Sequence, residues 1–199
     1  DTAGGIGYVR MSGFQKTTAD EMKAAVASLK AQGMKKLIWD LRGNPGGSFP
    51  AAVQVAGRFL PAGIVVTTDG QSPEFANRVF SSDAGLSAHD VPLVLLVDSR
   101  TMSAAEAVAA AWKENHRATL VGVSTFGKGA VQCPVRLFAA DADGASRSGV
   151  LVLTVARMAG PHGSPISGAG VAPHVHEPDP ARQLDAAVAK AVELALGMR

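Results

Sequence analysis

A serine and a lysine that lie 25 residues apart are the side chains of this sequence best suited to covalent chemistry. Ser103 begins an alanine-rich segment that is predicted to be helical, and Lys128 stands between Gly127 and Gly129. A serine hydroxyl becomes a nucleophile when a neighbouring base takes its proton. A lysine can be that base only in its neutral form, which burial or a neighbouring cation favours. The pair therefore indicates a Ser–Lys hydrolase.

Ser103 also has a purely structural interpretation. Residues 103–106 read SAAE, a capping box in which the serine and Glu106 satisfy backbone donors at the start of a helix. On the local pattern alone, this is the more common explanation. In the catalytic interpretation, a sharp turn after a strand presents Ser103 at the helix start. The Ala104 N–H and the helix dipole then face the developing oxyanion.

Lys128 has two competing interpretations. Residues 122–129 read GVSTFGKG and nearly match a phosphate-binding loop, but Gly129 stands where that motif needs a hydroxyl group. The residues that follow are predicted to form a strand, whereas a phosphate-binding loop opens a helix, so nucleotide binding is set aside. A solvated surface lysine is the other alternative. The two flanking glycines, together with Phe126 and Val131, favour a tightly turned and partly enclosed position instead.

Gln132 lies four residues after Lys128. In an alternating strand it shares a face with Lys128 and Ala130, and its amide oxygen could orient the lysine amine. On local grounds alone, an ordinary glutamine on the surface of a strand explains the position equally well.

A glycine-rich segment follows a predicted buried strand. Residues 40–47 read DLRGNPGG, and a turn alone would account for the glycines. The functional interpretation is a second backbone N–H, from Gly46 or Gly47, that is aimed at the same oxyanion. Asp40 and Arg42 are then expected to form a structural pair that supports the loop.

Composition excludes several classes of protein. The 199 residues are 47% hydrophobic and carry a net charge of +2 from scattered charges, so we expect one globular core and no nucleic-acid surface. Cys133 is the only cysteine, which excludes an intrachain disulfide. His174 and His176 have metal-like spacing but no third ligand. The apolar runs are too short to span a bilayer, and the first residues show no signal-peptide pattern.

Strands and helices alternate along most of the sequence, which predicts the α/β class. The predicted strands are 6–11, 36–41, 64–68, 91–98, 118–123, 130–138 and 149–156, and the predicted helices are 17–32, 50–59, 103–115 and 183–198. The last two strands are expected to form a hairpin around the polar turn 141–144. Residues 68–90 are expected to be irregular, with local pairing in 74–80, and residues 160–179 to form a loop.

The segments 40–47, 101–106 and 125–132, in this order and spacing, resemble the C-terminal processing peptidases, also called tail-specific proteases. The similarity covers nearly the whole chain, with lesser echoes at 6–10, 59–61, 153–157, 166–171 and 183–184. It implies a crotonase-like α/β core of stacked β-β-α units that needs no metal or cofactor. The implied roles are Ser103 as nucleophile, Lys128 as general base, Gln132 as the residue that positions the lysine, and Ala104 with Gly46 or Gly47 as oxyanion donors.

The resemblance also sets expectations for the whole molecule. Residues 1–199 would be a single peptidase core, without the PDZ module and the N-terminal helical region of the family. The substrates would be proteins or peptides that are cut near their carboxyl ends, outside the cytoplasm and usually in the periplasm. Whether the chain forms a homo-oligomer is left open by the sequence. Met102 and Ala105 depart from the small or hydroxyl residues usual in the family. Glu114, at a position that is acidic in some relatives, is expected to lie on the helix surface or to cap it.

Two rival functions use the same fold. One is a non-catalytic binding module, which would not need Ser103, Lys128 and Gln132 together. The other is a crotonase relative that handles coenzyme A thioesters, for which a Ser–Lys pair is unnecessary.

Overall fold

The computed structural model describes residues 4–82, 91–140 and 146–197, which form nine strands and four helices within those ranges. The helices are α1 (Thr18–Ala31), α2 (Phe49–Arg58), α3 (Ala104–Glu114) and α4 (Gln183–Ala195). The strands are β1 (Ile6–Arg10), β2 (Lys36–Asp40), β3 (Ile64–Gly70), β4 (Arg78–Ser81), β5 (Leu93–Val97), β6 (Thr119–Gly122), β7 (Ala130–Ala140), β8 (Ser146–Ala159) and β9 (Val175–His176).

A parallel five-stranded sheet in the order β1-β2-β5-β6-β9 forms the centre of the molecule. All five residues of β5 are buried because helices cover both faces of the sheet. On one face, Ala187 and Ala191 of α4 pack with Ile38 and Val94. On the other face, Trp39 and the three remaining helices contribute to the main core.

The connectivity of this sheet brings the three sequence motifs together. The carboxyl ends of parallel strands lie at the same edge of a sheet, which is where open α/β sheets place their ligand sites. The loop 41–48 follows β2, the loop 98–103 follows β5 and the loop 123–129 follows β6, and these three strands are direct neighbours. The fold therefore makes segments that are up to about 80 residues apart in sequence adjacent in space.

A second, antiparallel sheet in the order β4-β3-β8-β7 packs beyond the helices. Its last two strands extend far from the core as a two-stranded ribbon. We call residues 134–138 and 148–154 the outer hairpin, and all of them are exposed. Its large exposed apolar side chains are Val135, Leu137, Phe138, Val150, Leu151, Val152 and Leu153.

The expected α/β class is confirmed, and each predicted helix and strand occurs at its predicted place with ends shifted by a few residues. Local pairing near residues 74–80 takes the form of β4. The expectation of a plain loop at 160–179 is wrong at one place, because β9 adds an edge strand there. The predicted turn 141–144 and the last part of the expected irregular segment, residues 83–90, lie outside the described residues. Among the helices of the described ranges, none is long and apolar enough to cross a membrane.

Candidate active site

Ser103 occupies a strained turn between β5 and α3. Its backbone has φ 58° and ψ −122°, a conformation that residues other than glycine rarely adopt. Such outliers persist only where the surrounding structure enforces them, and they concentrate at functional sites. The helix that follows is buried over nine of its residues, so the turn is braced against a packed element. Ser103 is therefore presented on a rigid support.

The buried carboxylate of Glu106 joins the serine turn to the lysine loop. Its Oε2 accepts hydrogen bonds from the backbone N–H of Ser103 at 2.8 Å and of Lys128 at 2.9 Å. Its Oε1 accepts from the Thr125 hydroxyl at 2.7 Å and from the Gly127 N–H at 2.6 Å. A buried carboxylate needs such partners because burial without them is very costly. The Glu106 side chain thus fixes the backbone of both Ser103 and Lys128.

The lysine loop turns tightly, as its two glycines predict. Gly127 and Gly129 have φ values of 86° and 46°, in the left-handed region that favours glycine. A Cβ on Gly129 would collide with the backbone nitrogen of Ser167, so the loop can lie this close to residues 166–170 only without side chains. Lys128 is half-buried between the two glycines. The expected partly enclosed position of Lys128 is confirmed.

Asn44 organises the glycine loop and attaches it to the serine turn. Its side chain is fully buried; it donates to the Met11 carbonyl at 2.8 Å and accepts from the Gly46 N–H at 2.8 Å. Its own carbonyl accepts from the Met102 N–H at 3.0 Å, one residue before Ser103. The loop 41–48 is consequently held directly against the serine.

The two glycines of this loop have different environments. Gly46 has φ 97°, and a Cβ on it would lie 2.9 Å from the Ala104 nitrogen, so the absence of a side chain permits the close approach. The Gly46 N–H is already bound to Asn44. Gly47 pairs with Phe14 through the Gly46 carbonyl and the Ser48 N–H. The Gly47 N–H therefore points away from Phe14.

A cleft of about 500 Å³ collects most of the candidate residues. Ser103, Ala104 and Gly47 line it from the sheet edge, and Lys128 and Gln132 line it from the start of the hairpin. Its apolar walls come from Pro45, Phe49, Pro50, Phe75, Val131, Cys133, Pro134 and Met158. Gly46 lies behind this surface, against the Ser103–Ala104 peptide. The arrangement suits an extended chain laid between a nucleophile and a base.

The side chains of Ser103 and Lys128 share the cleft without a direct hydrogen bond. Within the described residues, no hydrogen bond joins the Lys128 amine to the Ser103 hydroxyl. Gln132 is exposed and lies in β7, whereas Lys128 precedes that strand and Gly129 between them has φ 46°, so the alternation on which the predicted shared face depends does not extend to Lys128. The backbone is therefore assembled while the reacting side chains are still apart.

Asp40 and Arg42 form the expected structural pair. The guanidinium binds the carboxylate through Nη2 at 2.7 Å and through Nε, and Tyr8 donates its hydroxyl to the same carboxylate at 2.6 Å. Burial raises the pKa of Asp40, but the hydrogen bonds from Arg42 and Tyr8 outweigh it and bring the pKa below its usual value. Arg42 also reaches the Gln183 side chain of α4 at 3.3 Å. The pair thereby fastens the glycine loop to α4.

Glu114 corrects one expectation. Instead of lying on the helix surface or capping the helix, its carboxylate accepts from the His162 N–H at 2.8 Å and from the Ser164 hydroxyl. It therefore holds the loop after β8 against the end of α3. Glu114 does not line the cleft that contains Ser103.

The central role of Glu106 was not predicted from the sequence, where it was given only a capping role. A signal was available: Glu106 lies in a helix whose neighbouring positions are alanine, valine and tryptophan, and such a helix is buried on all sides. A glutamate there must find several donors. Asn44 and Thr125 were also missed, because their partners come from other loops.

Three comparisons relate the chain to known proteins. Residues 5–177 match the family model described as peptidase family S41. A C-terminal processing peptidase of Tetradesmus obliquus, described as chloroplastic, is 39% identical over 171 residues, which are 85% of this chain and 34% of that protein. A carboxy-terminal-processing protease of Bartonella bacilliformis is 33% identical over 176 residues, 86% of this chain and 38% of that protein.

A solved structure of a photosystem II D1 C-terminal processing protease superimposes with a TM-score of 0.70. It is 35% identical in sequence, and the match covers 87% of this chain and 42% of that one. The chain thus spans between about a third and two-fifths of the length of these relatives.

Proposed function

The chain belongs to peptidase family S41, and on that premise we propose that it is a serine endopeptidase that cuts proteins or peptides near their carboxyl ends. The observation that carries the proposal is the shared attachment of Ser103 and Lys128 to the Glu106 carboxylate, at 2.8 and 2.9 Å, on opposite sides of one cleft. A binding module has no need to fix a serine and a lysine in this way.

In the proposed mechanism, Ser103 is the nucleophile and Lys128 the general base. The neutral Lys128 amine takes the hydroxyl proton while the Ser103 oxygen attacks the peptide carbonyl carbon. The tetrahedral intermediate collapses as the lysine returns that proton to the leaving amine, and an acyl-enzyme is formed. A water molecule, deprotonated by the same lysine, then attacks the ester carbonyl, and the lysine returns that proton to the Ser103 oxygen as the carboxyl product leaves.

Two backbone N–H groups are proposed to hold the oxyanion. Ala104 is the first residue of α3, so its N–H lies at the positive end of the helix dipole and lines the cleft. For the second donor we assign Gly47, whose N–H faces away from the Phe14 bridge. Gly46 is assigned a spacing role, because its N–H is bound by Asn44 and its bare Cα lets the loop approach Ala104.

Gln132 is proposed to position the lysine amine once substrate has entered. The exposed glutamine and the half-buried lysine line the same cleft, and neither side chain is locked by another partner within the described residues. Catalytic hydrogen bonds are often long in the absence of substrate and shorten in the complex.

The remaining proposals concern the whole molecule. The parallel sheet, the covering helices and the second sheet support a crotonase-like core that forms one peptidase domain. An extracytoplasmic, periplasmic location and action without a cofactor follow from the family resemblance.

The proposal is tested with an unstructured protein as substrate. Ser103→Ala and Lys128→Ala are each expected to abolish cleavage, because either change removes a reacting group. Lys23→Ala, at an exposed position of α1, is the matched control and is expected to keep the wild-type rate. Full turnover by either site variant would refute the mechanism.

A further inference from the structure

Glu74 places a carboxylate on the wall of the cleft that contains Ser103. The cleft is lined otherwise by apolar side chains, small polar residues and one further charged residue, Lys128. Glu74 is exposed, and no hydrogen bond or ion pair joins it to the described residues. It therefore presents a carboxylate with no salt-bridge partner among the described residues to whatever enters the cleft.

The turn that carries Glu74 is firmly attached to the core. The N–H groups of Phe75 and Ala76 both donate to the Ser72 carbonyl, at 2.9 and 2.8 Å. The Phe75 carbonyl accepts from the buried Thr68 hydroxyl at 2.8 Å. The Phe75 ring is buried, and its centroid lies 5.9 Å from that of Phe49 in an edge-on contact. The backbone of the neighbouring Glu74 is thus held at the wall of the cleft.

We propose that Glu74 determines substrate specificity: it selects peptides with a lysine or arginine close to the scissile bond and disfavours acidic residues there. This inference rests on the proposed peptidase function and extends it to the class of substrate. A cation of the bound peptide would gain an ion pair at the edge of an apolar wall, where the attraction is stronger than in bulk water. An acidic side chain in the same place would be repelled.

Specificity is measured with three quenched fluorescent peptides that differ at one residue, which is lysine, glutamine or glutamate. The varied residue is moved through four positions on each side of the bond that is cut. At one or more of these positions, we expect the lysine peptide to have a kcat/KM about tenfold higher than the glutamate peptide, as for a partly exposed charge pair. Glu74→Gln should reduce this ratio to near one, and Glu74→Lys should invert it.

Binding is measured separately with the Ser103→Ala variant, so that the result does not depend on turnover. Fluorescence anisotropy with the same peptides should show the preference for lysine, and the added Glu74→Gln change should remove it. If the wild-type chain cuts no peptide but this binding preference appears, the peptidase function fails and the role of Glu74 stands. If peptides are cut without a charge preference, the role of Glu74 is wrong and the peptidase function stands.

Two further outcomes decide whether the effect comes from Glu74 itself. Glu193→Gln, a charge removal on the exposed face of α4, should leave the lysine-to-glutamate ratio unchanged. A change of rate in Glu74→Gln that is equal for all three peptides would overturn the proposal, since Glu74 would then act on Lys128 and not on the substrate.

Discussion

The loops at the carboxyl edge of the parallel sheet, one of which carries Lys128, and the outer hairpin, which begins six residues after it, are built in opposite ways. The loops are held by buried polar groups, such as Glu106 of α3 and Asn44, which bind backbone donors from several segments. In the outer hairpin, apolar side chains such as Phe138 and Val150 are 74% and 62% exposed. The loops thus have their geometry fixed by buried hydrogen bonds, and no comparable attachment joins the outer hairpin to the rest of the described residues.

This difference has a consequence for substitutions. A buried polar group that loses its partner retains the full cost of its burial, whereas an exposed group is simply solvated by water. We therefore expect changes of a few atoms in the loops to affect both folding and cleavage. Changes of the same size in the outer hairpin should affect neither.

The largest effect is expected for Glu106→Gln. The amide replaces one oxygen with an NH₂ group, which then faces N–H donors that had been hydrogen-bonded to the carboxylate. We predict a loss of about 3 kcal/mol in the free energy of unfolding. A displacement of the serine turn or the lysine loop should also reduce kcat/KM by about 100-fold or more.

Chemical denaturation and peptide cleavage measure the two effects, with Glu193→Gln as the exposed control. That control should stay within about 0.5 kcal/mol of wild type. A Glu106→Gln variant with wild-type stability and rate would contradict the claim that buried hydrogen bonds to Glu106 fix the loops.

Glycine substitutions sharpen the comparison with a matched pair. In Gly46→Ala, the new Cβ would lie 2.9 Å from the Ala104 nitrogen, on a backbone with φ 97°. We predict a loss of about 2 kcal/mol in the free energy of unfolding and a lower kcat. In Gly149→Ala, within the outer hairpin, no atom of the described residues lies within 4 Å of the new Cβ, so both quantities should be unchanged. Equal behaviour of the two variants in denaturation and cleavage would argue against a close approach at Gly46.

The pH dependence of stability tests the attachment of the glycine loop. Because the native pKa of Asp40 is lowered, its contribution is complete above the usual value of 3.8 and is lost as the pH falls through the lower native pKa. Asp40→Asn should therefore flatten the acid side of the stability curve, measured by urea denaturation from pH 5 downward. Asp20→Asn, at a carboxylate with an 83% exposed side chain, should leave the curve almost unchanged. If Asp40→Asn and the wild-type chain lost the same stability at low pH, Asp40 would not be the carboxylate that attaches the glycine loop.

The smallest effect is expected from a polar substitution in the outer hairpin. Val150→Thr replaces a methyl group with a hydroxyl group on a side chain that is 62% exposed. We predict that the free energy of unfolding changes by no more than about 0.5 kcal/mol. Val94→Thr makes the same replacement inside fully buried β5, where an unpartnered hydroxyl should cost about 2 kcal/mol. A large loss in Val150→Thr, seen in the same thermal or denaturant unfolding experiment, would show that the outer hairpin is covered in solution.

The sequence predicted the elements well because their signals are local. The uninterrupted run LVLLV of β5 indicates a strand buried on both faces, and Gly33 marks the end of α1. The three motifs were also found, since glycine, serine and lysine are informative residue types at these positions.

The rest depends on contacts between distant segments. Glu106 acquires its role only when residues 125–129 dock on α3, and the local pattern offered no more than a capping box. The predicted shared face of Lys128 and Gln132 fails because β7 begins only at Ala130, after Gly129 with φ 46°, and the alternating pattern alone does not show where the strand begins. The choice between Gly46 and Gly47 requires the positions of Asn44 and Phe14.

The most direct test of the account is covalent labelling of the serine. A fluorophosphonate reacts with a hydroxyl group that a base has activated, and the modified residue can be located by peptide mass spectrometry. We predict modification at Ser103 in the wild-type chain and none in Lys128→Ala. Modification elsewhere, or an equal rate in Lys128→Ala, would contradict a Ser103–Lys128 pair.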